Sequence, residues 1–369
     1  MIHPLHTKSI QIIKANQTPG GAYLASPSFP VYNYCWFRDS AYIAYAMDLV
    51  GEHHSAMRFY NWAAATIADR ANRVERTVNA IAHGTPPTPD DLLDTRYTVE
   101  GKEDETDWPN FQLDGFGTLL WGMSQHLSLT NQTLRDMSPE WVESIALLVR
   151  YLGALWSSPC YDCWEEFGDK IHTATLASLY GGLQSASAML MDVQRGVDAL
   201  AASESALLIR RFVLENCVID GALAKFVGNS AVDANLIHVS VPYNLLTPED
   251  PIMRRTAERI QSELRTNNDG VHRYTDDSYY GGGEWILLTA YLGWYYTKLG
   301  DHPRAQQTLD WIESSADPDL QLPEQLHCHL NHPEKLAEWQ ELWGPIAKPL
   351  LWSHAAYLTL QAALTHHEK

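Results

Sequence analysis

Two glutamates stand side by side in YDCWEEFG at 161–168, directly behind a tryptophan, with an aspartate and a cysteine just upstream. Adjacent carboxylates repel. A chain places them on an open helix face, where water screens the charge, or in a cleft, where the charge is put to use. Carboxylates in a cleft do general acid and base work. A further glutamate lies in LPEQL at 322–326. In YNYCWFRDSAYIAYAM at 32–47, aromatics crowd Arg38 and Asp39 just ahead of an apolar-periodic segment. Read alone, Asp39 fits a helix N-cap, with Arg38 exposed, as well as it fits a binding site. The stretches DWPNFQLDGFG at 107–117 and HRYTDDSYYGGGEWILL at 272–288 repeat the mixture of rings, acids and glycines.

The elements that must carry these stretches are helices. Segments 40–49, 56–68, 116–127, 139–155, 173–191, 203–215, 251–264, 284–299, 303–314 and 351–364 place apolar residues three and four apart. Gly51 and Gly300 close two of them, and Ser138-Pro139 opens another. Long loops rich in Tyr, Trp, Asp and Gly alternate with short connections. That alternation predicts a ring of helical hairpins, an all-α (α/α)6 barrel with short turns at one end and elaborate loops at the other.

The chain has 369 residues, 45% of them hydrophobic and 11% aromatic, with 13 Trp and 18 Tyr. It carries no Gly-, Ser- or Pro-rich linker, so a single domain over 1–369 is expected. A net charge of -19 repels phosphate backbones and anionic lipid, which argues against nucleic acid and membrane as partners. No segment has the roughly 20 consecutive apolar residues of a membrane span, and the N-terminus lacks an apolar leader core, so a cytoplasmic location is expected. Five scattered cysteines read as buried thiols. Cys160 and Cys163 form a CxxC without partner ligands, a weak metal or redox signal.

The motifs together resemble glycoside hydrolase family 15, the glucoamylase-like enzymes. ASPSFPVYNYCWFRDSAY resembles the family's opening signature, YDCWEE its general-acid motif, RYTDDSYYGGGEW its arginine-tyrosine loop, LPEQL its general-base motif, and PLLWSHAAY the helix that follows. They run in family order from Ala25 to Tyr357. The resemblance implies an (α/α)6 barrel and inverting hydrolysis, with Glu165 as general acid and Glu324 as general base. In that mechanism the carboxyls stand roughly 6.5–9.5 Å apart. By the same resemblance, Arg38 and Asp39 grip the 4- and 6-hydroxyls of the terminal glucose, and Tyr32 and Trp36 form an aromatic wall. Arg273 reaches the sugar near the cleavage point, and Glu166 contacts it on the leaving side.

A sugar ring offers hydroxyls to charged partners and an apolar face to rings, so Trp108, Trp164 and Trp285 are candidate platforms, with core packing as their alternative role. Trp164 is expected to cover Glu165, and Glu166 to raise its proton affinity.

Three departures from the family pattern leave linkage and chain length open: WPNFQLDGFG for an Arg-Pro-Gln segment, Glu284 at an apolar position, and LHCHLNHP after Gln325. The expected function is removal of glucose from the non-reducing end of short α-glucosides such as isomaltose or maltose. An α,α-trehalase of the same family is the alternative. A sugar-binding protein without catalysis is less consistent with both glutamates in motif context, and a structural helical array with the absence of a sequence repeat. No cofactor or metal is implied, and the oligomeric state is open.

Overall fold

The computed structural model describes residues 3–365. In chain order its helices are α1 (Pro4–Ala15), α2 (Phe37–Leu49), α3 (His53–Ala68), α4 (Ala71–Ala82), α5 (Asp114–Leu129), α6 (Pro139–Leu155), α7 (Thr173–Asp192), α8 (Gly196–Asn216), α9 (Pro251–Glu263), α10 (Ile286–Lys298), α11 (His302–Ser314), α12 (Leu336–Trp343) and α13 (Leu351–Thr365). A 3-10 segment, Ala234–Val239, lies between α8 and α9.

Packing sorts these elements into two rings. Helices α2, α5 and α7, the 3-10 segment, α10 and α13 contact one another in turn, and α13 returns to α2. The inner helices are buried round most of their circumference. In α10 every residue from Ile286 to Thr297 is buried, which demands apolar side chains around its whole circumference. The outer helices bury one stripe. In α9 it is Met253, Thr256, Ala257 and Ile260, and in α8 Ala199, Ala202, Ala206, Ile209 and Val213. Outer and inner elements alternate along the chain, with α4 and α12 as additions within two of the outer-to-inner connections, which is the (α/α)6 barrel. Close approach within the inner ring needs residues without side chains. A Cβ on Gly182 of α7 would lie 2.3 Å from the Gly117 carbonyl of α5, so Gly182→Ala would force the two helices apart at a cost of about 1–3 kcal/mol.

Connections from inner to outer helices are short, as between α2 and α3 or α10 and α11. Those from outer to inner are long, and they gather at the N-terminal ends of the inner helices. Antiparallel two-residue ribbons stiffen them: β1 (Cys35–Trp36) with β2 (Arg96–Tyr97), β3 (Val218–Ile219) with β4 (Ala222–Leu223), and β5 (Glu284–Trp285) with β6 (Gln325–Leu326).

The pattern of apolar spacing located most of the barrel helices and passed over α1, α4 and α12. In α4 Val74, Val78 and Ile81 at four- and three-residue spacing form a legible stripe against the core that sequence reading missed. One inner element is the six-residue 3-10 segment, and Pro242 shortly after it cannot continue a helix. No described helix is long and apolar enough to cross a membrane.

Candidate active site

The adjacent glutamates lie on a tight turn and on no helix. The Asp162 carboxylate accepts hydrogen bonds from the backbone N–H of Trp164 at 2.9 Å and of Glu166 at 3.0 Å. This side-chain turn forces Glu165 into the left-handed region, φ 68°, a conformation that costs a non-glycine residue free energy and recurs at functional sites. The consequence is divergence: Glu165 and Glu166 are neighbours in sequence but bond to different partners. Glu165 Oε1 accepts from Trp36 Nε1 at 2.9 Å, Trp108 Nε1 at 3.0 Å and Gln112 Nε2 at 3.3 Å. Among the described residues none donates to Oε2. Glu166 instead accepts from the Tyr274 hydroxyl at 2.5 Å and from Arg273 at 3.4 Å. Burial raises its carboxyl above the ordinary value, with Arg273 opposing.

The expectation that Trp164 covers Glu165 is therefore corrected. The left-handed residue turns the chain, so Trp164 donates to Asp233 at 3.0 Å and packs on Trp285 with ring centroids 5.2 Å apart. The cover on Glu165 comes from Trp36 and Trp108. The Arg96 guanidinium, held by Asp104, lies against both rings, 3.6 Å from the Trp108 centroid and 5.0 Å from that of Trp36.

Glu324 sits on a loop fastened at each step. Leu322 N–H donates to His354 Nε2 at 3.1 Å, Ser353 to the Pro323 carbonyl at 2.7 Å, and Glu324 N–H to the Ala347 carbonyl at 3.0 Å. His354 is buried, which pushes it down to about 3 and keeps it neutral. It can then accept at Nε2 and donate through Nδ1 to Ser9, at 2.8 Å. The Glu324 carboxylate accepts from the Tyr32 hydroxyl at 2.9 Å and the Tyr279 hydroxyl at 3.2 Å. Burial pushes it up to about 8; the two hydroxyls and the charge of Arg273 pull it back down.

Arg38 and Asp39 occupy the first turn of α2 and are buried. Asp39 does not cap the helix. The residue at the cap position is Trp36, and Asp39 accepts from Arg38 Nε at 3.2 Å. Arg38 also donates to Asp114 at 3.2 Å and to Gln112 at 2.9 Å, and its guanidinium lies over Trp352. Burial, opposed by Arg38, lifts Asp39 to about 6. Arg273 is clamped bidentately by Asp277 and surrounded by the rings of Trp164, Tyr279 and Trp285.

All of the catalytic and substrate-binding residues expected from the sequence line one cavity of about 290 Å3: Tyr32, Trp36, Arg38, Asp39, Trp108, Trp164, Glu165, Glu166, Arg273, Trp285 and Glu324. Trp108 and Trp285 face this cavity, so neither is there for packing alone. Sequence reading missed Gln112, which joins Arg38 to Glu165, and Tyr279, which supports Glu324. It also missed Trp339 and Trp343 on α12, although Leu336, Trp339 and Trp343 at three- and four-residue spacing form a legible stripe. The CxxC belongs to the same turn: Cys160 is buried, and Cys163 lines the cavity and accepts from Asn235 at 3.1 Å.

A family model described as glycosyl hydrolases family 15 matches residues 5–316. The chain belongs to glycoside hydrolase family 15. That match stops before LPEQL, but likeness across nearly the whole chain extends past it. This family 15 chain is 38% identical over 360 residues to the isomaltose glucohydrolase of Kribbella flavida, covering 97% of this chain and 92% of that protein. It is 26% identical over 291 residues to Trehalase 1 of Sulfolobus acidocaldarius, covering 76% of this chain and 49% of the other. Among solved structures, a wild-type glycosidase at 38% identity superposes with a TM-score of 0.93 over 98% of this chain and 96% of its own, and a variant glycosidase in complex with glucose does so with the same values. A bacterial glucoamylase complexed with acarbose, at 20% identity and TM-score 0.77, covers 99% of this chain and 56% of that one; it shares the fold.

Proposed function

We propose that this glycoside hydrolase is an exo-acting, inverting α-glucosidase that cleaves one glucose from the non-reducing end of isomaltose-type disaccharides. The observation that carries the reading is a single small cavity lined by both Glu165 and Glu324 and by the buried Arg38–Asp39 pair. About 290 Å3 is at the lower edge of ligand pockets, which run to roughly 300–1,000 Å3. Such a volume fits a short glucoside better than a polymer.

The chemistry follows from the bonds. Glu165 Oε1 is held by indole and amide N–H groups, so Oε2 is the oxygen that carries a proton to the glycosidic oxygen. Glu324, ionised, takes a proton from water, and that water oxygen bonds to the anomeric carbon as the glycosidic bond breaks. The products are β-glucose and the leaving sugar. Resetting the site returns a proton from Glu324 to Glu165 by way of solvent. Arg38 and Asp39 supply a donor and an acceptor to the hydroxyls of the held glucose, and Trp36 and Trp108 its apolar wall. The likeness to an isomaltose glucohydrolase over nearly the full length supports the α-1,6 linkage. Trehalase likeness is lower and covers less.

Glucose release from isomaltose, maltose and trehalose, measured side by side, tests the proposal. Isomaltose is expected to give the highest kcat/KM. Preferred cleavage of trehalose would replace this reading with the trehalase one.

A further inference from the structure

Two of the departures from the family pattern, Glu284 and the CHLNHP run, meet in space. Successive side chains on a strand point to opposite faces. In β5, Trp285 faces the cavity, so Glu284 points away from it, into a space that Gly270 leaves open: a Cβ there would lie 2.5 Å from the Glu284 carboxyl carbon. Glu284 is fully buried. No Lys or Arg among the described residues pairs with it. Its carboxylate accepts from the Thr266 hydroxyl, from the Cys328 thiol at 2.9 Å and from His329 Nδ1 at 3.0 Å. A buried carboxylate without a fixed cation calls for a positive partner. His329 is half exposed, its side chain 52% accessible, so the cluster opens to solvent on one side.

We propose that Glu284, Cys328 and His329 bind one divalent ion of the zinc class. A carboxylate oxygen, the sulfur and the imidazole nitrogen lie within 4.8 Å of one another. Ligand bonds of roughly 2.0–2.3 Å set tetrahedral donors about 3.4–3.6 Å apart, so the 2.9 and 3.0 Å contacts to Glu284 widen slightly as the ion enters and any wider separation within the 4.8 Å cluster closes. A mixed sulfur, nitrogen and oxygen set favours a borderline-soft ion over calcium or magnesium. On binding, the Cys328 thiol releases its proton to solvent, and bonds to the metal replace the two hydrogen bonds to Glu284. A water molecule or the Thr266 hydroxyl completes the four positions. The ion takes no part in hydrolysis. It ties the loop at 328–329 to β5, whose partner strand β6 begins one residue after Glu324.

Tag-free full-length protein, stripped with chelator, is dialysed against Zn2+ or Co2+ and freed of excess. One ion per chain is expected, and with Co2+ a near-ultraviolet thiolate-to-cobalt charge-transfer band. Cys328→Ser should abolish the band and weaken binding at least tenfold, and His329→Ala, at an exposed position that leaves folding intact, should weaken binding comparably. Zn2+ at a fixed concentration should also raise the Tm of the wild type, and raise that of His329→Ala clearly less. Failure of the wild type to retain an ion, or undiminished retention by His329→Ala, would overturn the proposal.

Discussion

The rings of Tyr32 and Trp36 meet edge to face, centroids 5.6 Å apart, and each donates to a different glutamate. Tyr32 holds Glu324 at 2.9 Å and Trp36 holds Glu165 at 2.9 Å. One short segment ahead of α2 therefore sets both carboxyls against each other. A change in either ring is felt at both.

Tyr32→Phe should move the pH profile. Glu324 works as base when ionised, and its proton affinity sits at about 8 because of burial, with the Tyr32 hydroxyl lowering it. Activity should therefore rise with pH along an acid limb set by Glu324, well above the ordinary glutamate value of 4.5. Losing the hydroxyl should carry that limb up by roughly 1–2 units, the equivalent of one hydrogen bond to a charged group. Measuring kcat/KM for isomaltose from acid to alkaline pH checks this; an unmoved limb would remove Tyr32 from that role.

Glu165→Gln and Glu324→Gln should each lower turnover by at least about 10²-fold. They should differ in stability. Between 4.5 unfolded and about 8 folded, the native protein holds a proton on Glu324 that the unfolded chain has released, so this group's contribution to stability falls as pH rises through that window. Glutamine does not titrate. Glu324→Gln should accordingly melt above the wild type by a margin that grows over the same range, and thermal melts at several pH values read it directly.

Asp39→Ala separates a binding role from a structural one. Arg38 keeps Asp114 and Gln112 in the variant, so the melting temperature should fall only a little. The hydroxyl acceptor is gone, and kcat/KM should fall about 10²-fold or more, as when one partner of a buried charge pair is truncated. A large drop in Tm with normal kcat/KM would reverse the assignment.

Trp343 lies on Trp108, 6.3 Å between centroids and 28° between planes, at the side of the cavity where α12 crosses. If it shelters the leaving sugar, Trp343→Ala should lower kcat/KM for isomaltose roughly 2–12-fold, the scale of one aromatic contact. α-Glucosyl fluoride has no second ring. Its hydrolysis should be unaffected, and equal losses on both substrates would place Trp343 elsewhere in the mechanism.

The stereochemical outcome tests the two glutamates together. A single displacement by water activated at Glu324 inverts the anomeric carbon, so an α-linked substrate first yields β-glucose. Proton NMR in the first minutes, before mutarotation, distinguishes this from retention. Initial α-glucose would overturn both roles.

Helical character, the alternation of long and short connections, and the family were all legible in the amino-acid sequence. Each follows from local information: three- and four-residue apolar spacing, turn residues, and motifs such as YDCWEE and LPEQL. It also named the residues that would meet, because a motif preserves residue types even when it says nothing of direction. Direction was decided by tertiary structure. Nothing in the adjacency of Glu165 and Glu166 says that a left-handed residue sends one carboxyl to Trp36 and the other to Arg273. Nor does the run CHLNHP reveal that its thiol and imidazole close over Glu284, about 45 positions earlier in the chain. Asp39 fits a helix cap until the chain folds and Arg38 lies beside it with Asp114 and Gln112. Side-chain partners are set by which loops the barrel gathers at the N-terminal ends of its inner helices, and that depends on packing between segments hundreds of residues apart, which no local pattern records.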